Sequence, residues 1–87
     1  MTELDKLREQ IDIIDGKLVE LFESRMEIAK KVGDFKAQNA MEIFDPKREE
    51  EVINKGIATL KNKELSKELE IFFKNIMELS KRVQRGK

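Results

Sequence analysis

The sequence predicts an all-α fold with three helices per chain, the first of them very long. Three observations carry that expectation. Apolar residues recur at three- and four-residue steps over most of the first 35 positions, the spacing of one helix face. One proline and four glycines among 87 residues leave few places where a helix must stop. No stretch alternates apolar and polar residues at the period of a half-buried strand, and no repeat or low-complexity tract occurs.

Composition bounds the rest. Eighty-seven residues make one domain, 1–87. Charged residues are 41% and hydrophobic residues 39%, so a core requires the apolar residues to be gathered into stripes. Eighteen basic side chains balance eighteen acidic ones, and without a global basic field neither nucleic acid nor an anionic membrane is an expected partner. The chain has no Cys and no His, which removes disulfides, a thiolate nucleophile, the commonest general base and the commonest transition-metal ligands, so no metal site is expected. The charged opening MTELDKLREQ does not resemble a signal peptide, and no apolar run nears the ~20 residues of a membrane helix. A soluble, cytoplasmic protein is expected.

The first helix opens at Thr2, with Asp5 three residues on as a variant of the capping box. Its seam runs through Leu4, Leu7, Ile11, Ile14, Leu18, Leu21, Arg25, Ile28, Val32 and Phe35. The stop is QNA, with Asn39 the candidate C′ residue. Gly16 and Gly33 lie inside this helix, each costing it up to ~1 kcal/mol, a cost that close approach of another backbone would explain. Thirty-five residues span roughly 52 Å. A compact chain of this size has a radius of gyration of about 12 Å, hence a diameter near 31 Å. The seam therefore overruns its own domain, and a homodimer or higher oligomer with the first helices packed together is expected.

Residues 40–44, AMEIF, form a connector whose Met41, Ile43 and Phe44 should fold back onto the core. DPKREEEV opens the second helix, with Asp45 as N-cap, Pro46 at N1 and Glu49 to Glu51 at the positive end of the dipole. Its apolar face is Val52, Ile53, Ile57 and Leu60. KNKELS is turn-like, with Asn62 or Ser66 as the next cap. The third helix runs to about Arg85, with Leu65, Leu69, Phe72, Phe73, Ile76 and Val83 on its stripe.

Polar residues break all three stripes. Arg25 occupies the first seam, and Lys36, eleven residues and about three turns on, points the same way. Arg48 and Glu49 precede Val52 and Ile53 by four, so both project from the buried side of the second helix. Ser80 and Gln84 continue the third stripe beyond Ile76 in steps of four. Burying a cation unpaired is costly, and Glu49 can answer only one of Arg25, Lys36 and Arg48. The conjunction reads as a cavity that expects a small anion. Each residue also has a plainer reading. Arg25 could set the register of a coiled coil, Lys36 could be an end-of-helix cation, and Asp45 is explained as an N-cap. Lys47, Glu50 and Glu51 read as a solvated charge run, and Ser80 and Gln84 could be stripe edges. Arg8, beside the seam, has no internal signal.

The pattern LREQIDIIDGKLVELFESRMEIAKKVGDFK followed by IFDPKREEEV resembles the all-helical chorismate mutases, small intertwined dimers with three helices per chain. The resemblance covers nearly the whole chain and is looser on the third helix. It implies rearrangement of chorismate to prephenate in aromatic amino-acid biosynthesis, a pericyclic reaction that uses no base, nucleophile, metal or cofactor. By that resemblance Arg25 holds a substrate carboxylate in its own chain's site, and Arg8 reaches a carboxylate in the partner chain's site. Lys36 and Gln84 donate to the ether oxygen. Arg48 and Ser80 lie near the ring carboxylate, and Asp45 and Glu49 mark the start of the second helix, where the ring hydroxyl binds. Lys36, Gln84, Arg25 and Glu49 are thus the expected catalytic group. A glutamine at 84 donates at any pH, so activity is expected to vary little between mildly acidic and neutral pH. The rival readings are an isochorismate-pyruvate lyase of the same fold, a non-catalytic helical dimerisation module, and a mutase that is weak without a separate partner enzyme.

Overall fold

The computed structural model describes residues 1–86. Three α-helices and a short 3-10 turn account for nearly all of them, with no strand among the described residues. Helix α1 (Glu3–Gln38) starts at Thr2, whose hydroxyl accepts from the Asp5 amide at 3.1 Å while Asp5 accepts from the Thr2 amide at 3.2 Å. Both arms of the capping box are therefore closed. Its C-terminus departs from expectation. Asn39 is the C-cap, at φ −112°, and the left-handed C′ position falls to Ala40, at φ 51°. The Met41 amide then donates to the Lys36 carbonyl at 2.8 Å, the long bond of a Schellman turn. Asn39 instead bonds its side-chain amide to the Phe35 carbonyl at 2.8 Å, which holds it at the end of the helix.

Asp45 caps α2 (Pro46–Thr59) by accepting from the Arg48 amide at 3.0 Å, with Pro46 in the first turn. Leu60, expected on the apolar face of this helix, is its extended C-cap. Of the two candidate caps that follow, Asn62 caps: its side chain accepts from the Glu64 amide and starts the 3-10 turn Lys63–Leu65. That turn leads into α3 (Ser66–Gln84) without a break, so Ser66 is the first helical residue and Leu65 precedes the helix.

Helix α3 packs against both the C-terminal part of α1 and α2. The contacts are close at two glycines. A Cβ at Gly33 would lie 2.5 Å from the Gln84 carbonyl oxygen, and one at Gly56 would lie 2.7 Å from the Phe73 ring. Ala29 and Met77 form the small buried centre, with Ser80 buried beside them. Met77, absent from the expected stripe, lies four residues after Phe73 and is the most enclosed apolar side chain. Val52, Ile53 and Ile57 are half-buried as expected, and Ile43 folds inward from the connector. Met41 and Phe44 stay exposed.

The described residues leave the first two-thirds of α1 largely uncovered. Every residue from 1 to 24 is exposed, including Leu7, Ile11, Ile14 and Leu18 on the seam. The extents are 55 × 26 × 16 Å and the radius of gyration is 16.1 Å, against about 12 Å for a compact chain of this length. The long helix overruns its own domain, as its length requires.

Candidate active site

Where the three helices meet, a cavity of about 390 Å³ opens between the last three turns of α1, the first turns of α2 and the end of α3. Seven of the eight residues expected at a site line it: Arg25 and Lys36 from α1, Asp45, Arg48 and Glu49 from α2 and its cap, Ser80 and Gln84 from α3. Ile28, Ala29, Val32, Ile43, Val52 and Met77 supply apolar wall between them. The eighth residue, Arg8, lies seventeen positions before Arg25 on the same straight helix, about 25 Å away. It is exposed and does not reach the cavity of its own chain.

Each polar side chain is positioned by its element. Arg25 donates through Nη1 to the Ser80 hydroxyl, which in turn donates to the Ile76 carbonyl at 2.9 Å. Burial first, and then the nearby Arg48 guanidinium, holds the Arg25 pKa below its ordinary value. No carboxylate of the described residues pairs with it. Both effects oppose its charge, so an anion brought beside Arg25 meets a cation with no counter-ion among the described residues. Lys36 spends one proton on the Ile43 carbonyl, at 2.9 Å, and has no carboxylate partner among the described residues. An ammonium carries three protons, so Lys36 keeps donors to offer.

Two expectations need correction. Glu49 does not answer Arg25, Lys36 or Arg48. It pairs with Lys81 of α3 at 3.0 Å, because the α2–α3 packing sets those two side chains face to face. Arg48 does not point into a buried interior. It stands at the rim, its side chain 58% exposed, and pairs with Glu51 at 3.6 Å, one turn on. Gln84 is half-buried, and its Oε1 is sealed from solvent with no hydrogen-bond donor. An unmet buried acceptor of this kind costs ~1–3 kcal/mol.

Lys81 also lines the cavity and was not expected there, because the apolar stripe expected for α3 did not include Met77. It sits four residues after Met77, a charge on a buried stripe. Its ammonium lies between Glu49 and Glu78, 2.9 Å from the latter, and 4.7 Å from the centre of the Phe44 ring. Hydrogen bonds that its ammonium donates to Glu78 and then to Glu49 raise its pKa above the ordinary 10.5.

The cavity lining holds four cationic side chains (Arg25, Lys36, Arg48, Lys81) and two carboxylates (Asp45, Glu49), an excess of two positive charges. Such a lining suits a small dianion. No three groups among the described residues converge as a metal site, and no helix among them is long and apolar enough to cross a membrane.

Comparison with known proteins places the chain among relatives. Residues 7–85 match the family described as chorismate mutase type II. The chain is 38% identical over 55 residues to a bifunctional chorismate mutase/prephenate dehydratase of Aquifex aeolicus, covering 63% of this chain and 15% of that one. It is 41% identical over 49 residues to the T-protein of Haemophilus influenzae, covering 56% of this chain and 13% of the relative. The chain thus spans about one-seventh of the length of these curated relatives. A solved structure of a conserved hypothetical protein from Pyrococcus furiosus superposes with a TM-score of 0.79 at 37% identity, over 97% of both chains. With a family match running from the first turns of α1 to the end of α3, and all three helices contributing to one cationic cavity, the chain belongs to the type II chorismate mutase family.

Proposed function

We propose that the protein rearranges chorismate to prephenate, working as a homodimer in which each cavity is completed by Arg8 of the partner chain. The observation that carries this reading is a pair of cations, Arg25 and Lys36, that line one cavity with no carboxylate partner among the described residues. Chorismate is a dianion of matching charge. The reaction needs its two reacting carbons held in contact in a chair-like conformer, and positioning of that kind lowers a barrier without any acid, base or nucleophile. A chain without His or Cys loses nothing by it.

Arg25 takes one carboxylate, steered by Ser80. Arg48 and Ser80 serve the ring carboxylate, and Asp45 and Glu49 at the start of α2 accept from the ring hydroxyl. Lys36 and Gln84 donate to the ether oxygen, which gains negative charge as its bond to carbon breaks. Donors already aimed at that oxygen stabilise the transition state more than the ground state, and losing one typically costs ~10²–10³ in rate. The dimer rests on the uncovered α1 seam, and the cross-chain role of Arg8 on its distance from its own cavity.

The test is an assay of purified protein on chorismate, following loss of substrate absorbance and identifying the product, with Arg25→Ala alongside. Formation of prephenate, lost by at least ~10² in a folded variant, is the expected result. Inactivity on chorismate with release of pyruvate from isochorismate would replace the reading by a lyase. Inactivity on both would leave a helical dimerisation module.

A further inference from the structure

The mutase reading leaves Lys81 without a task, although it is one of the four cations of the cavity and the least exposed member of any ion pair among the described residues, at 11%. Its protons are already committed. One faces Glu49 at 3.0 Å, one faces Glu78 at 2.9 Å, and the ammonium is seated over the Phe44 ring. An ammonium engaged in this way has little left to give a substrate.

Its partner Glu49 has the opposite problem. It lines the same cavity as Arg25, Lys36 and Arg48, and Lys81 is its sole partner among the described residues. A carboxylate left loose in that cavity would fall onto one of the three cations, since opposite charges at contact attract far more strongly in a partly buried site than in bulk water. It would then cancel one of the charges that a dianion requires.

We infer that Lys81 is a positioning residue: from α3 it draws Glu49 to one side of the cavity, keeping Glu49 in place as an acceptor and leaving Arg25 and Lys36 unpaired for the substrate. The inference rests on the mutase reading. Glu78, the other partner of Lys81, does not line the cavity and is 69% exposed, so it steadies the ammonium from outside. The Phe44 contact adds the connector to the same clamp, closing the ring of elements around the site.

The experiment is a double-mutant cycle with Lys81→Met, Glu49→Gln and their combination, read both as kcat/KM on chorismate and as thermal midpoint. Lys81→Arg and Glu78→Gln are run as companions. Lys81→Met should lower kcat/KM about 10- to 10²-fold, the scale of a misplaced catalytic group, with KM raised. In the Glu49→Gln background the same change should cost nothing further, because no carboxylate remains to collapse. Lys81→Arg should recover most of the loss, and Glu78→Gln should stay near wild type. If Lys81→Met costs the same factor in both backgrounds, the residue acts through the field of the cavity and the inference is wrong. A lowered midpoint with unchanged kcat/KM would make it structural and also overturn the inference. Wild type inactive on chorismate marks failure of the mutase reading, on which this inference falls with it. An active wild type with an additive cycle marks failure of this inference alone.

Discussion

Gly33 of α1 lies directly against the main chain of Gln84 on α3: a methyl group at 33 would stand 2.5 Å from the Gln84 carbonyl oxygen and 2.6 Å from its Cα. The two helices touch there with no side chain between them. The depth of that contact sets where the Gln84 amide enters the cavity.

Gly33→Ala therefore has only backbone to push against, and α3 must shift. The expected result is a loss of about 1–3 kcal/mol of stability, the usual cost of overpacking, with a fall in kcat/KM as Gln84 moves. Gly16 is the control, with nothing within 4 Å. Gly16→Ala should raise stability by up to ~1 kcal/mol through helix propensity alone. Denaturant unfolding at fixed protein concentration measures both, and equal behaviour of the two variants would refute the close-contact argument.

Arg8 and Arg25 supply a test of the proposed shared site. Each of Arg8→Ala and Arg25→Ala should be inactive alone. Co-refolded in equal amounts, they form mixed dimers in which one cavity holds both arginines, so activity should return to roughly a quarter of wild type, by random pairing with one intact site in each mixed dimer. No recovery in demonstrably mixed dimers would separate Arg8 from the site.

Gln84 predicts a pH profile. A neutral amide donates at any pH, whereas a carboxylate donates only when protonated. Wild-type kcat/KM should be nearly level from about pH 5 to 8, a range above the ordinary pKa of exposed carboxylates. Gln84→Glu should be active at the acidic end and lose activity as pH rises. A wild-type profile falling steeply over the same range would remove Gln84 as the ether-oxygen donor.

Ala40 sits at φ 51°, where an L side chain is strained and glycine is not. Ala40→Gly should stabilise the protein by about 1 kcal/mol and raise the thermal midpoint by a few degrees, with kcat/KM unchanged, since Ala40 does not line the cavity. Calorimetry at one protein concentration checks it, and a lowered midpoint would contradict the Schellman reading of the α1 terminus.

Much of this was written in local pattern. Thr2 with Asp5 and Asp45 with Pro46 start helices by hydrogen bonds that reach only three residues, so the sequence states them directly. The seam from Leu4 to Phe35 is likewise a local repeat. The polar residues that interrupt the stripes at 25, 36, 49, 80 and 84 marked the cavity because a buried stripe tolerates a charge only for a reason. Lys81 was not legible in the same way, because the residue it follows by four, Met77, lies off the stripe expected for α3 and is shown to be buried only by the packing. Asn39 was the reasonable left-handed residue by composition, but the Schellman hydrogen bonds close one residue later, and Ala40 accepts the strain.

The sequence by itself determined the three helices, the N-terminal caps of the first two, the excess length of the first and most of the polar residues that converge, because helix periodicity and capping act over one or two turns. Tertiary structure decided the pairings. Glu49 meets Lys81 and not Arg25, Arg25 meets Ser80, and Gly33 meets Gln84, because each depends on how α3 is seated on α1 and α2. These three pairings join residues more than thirty positions apart, which no local spacing encodes.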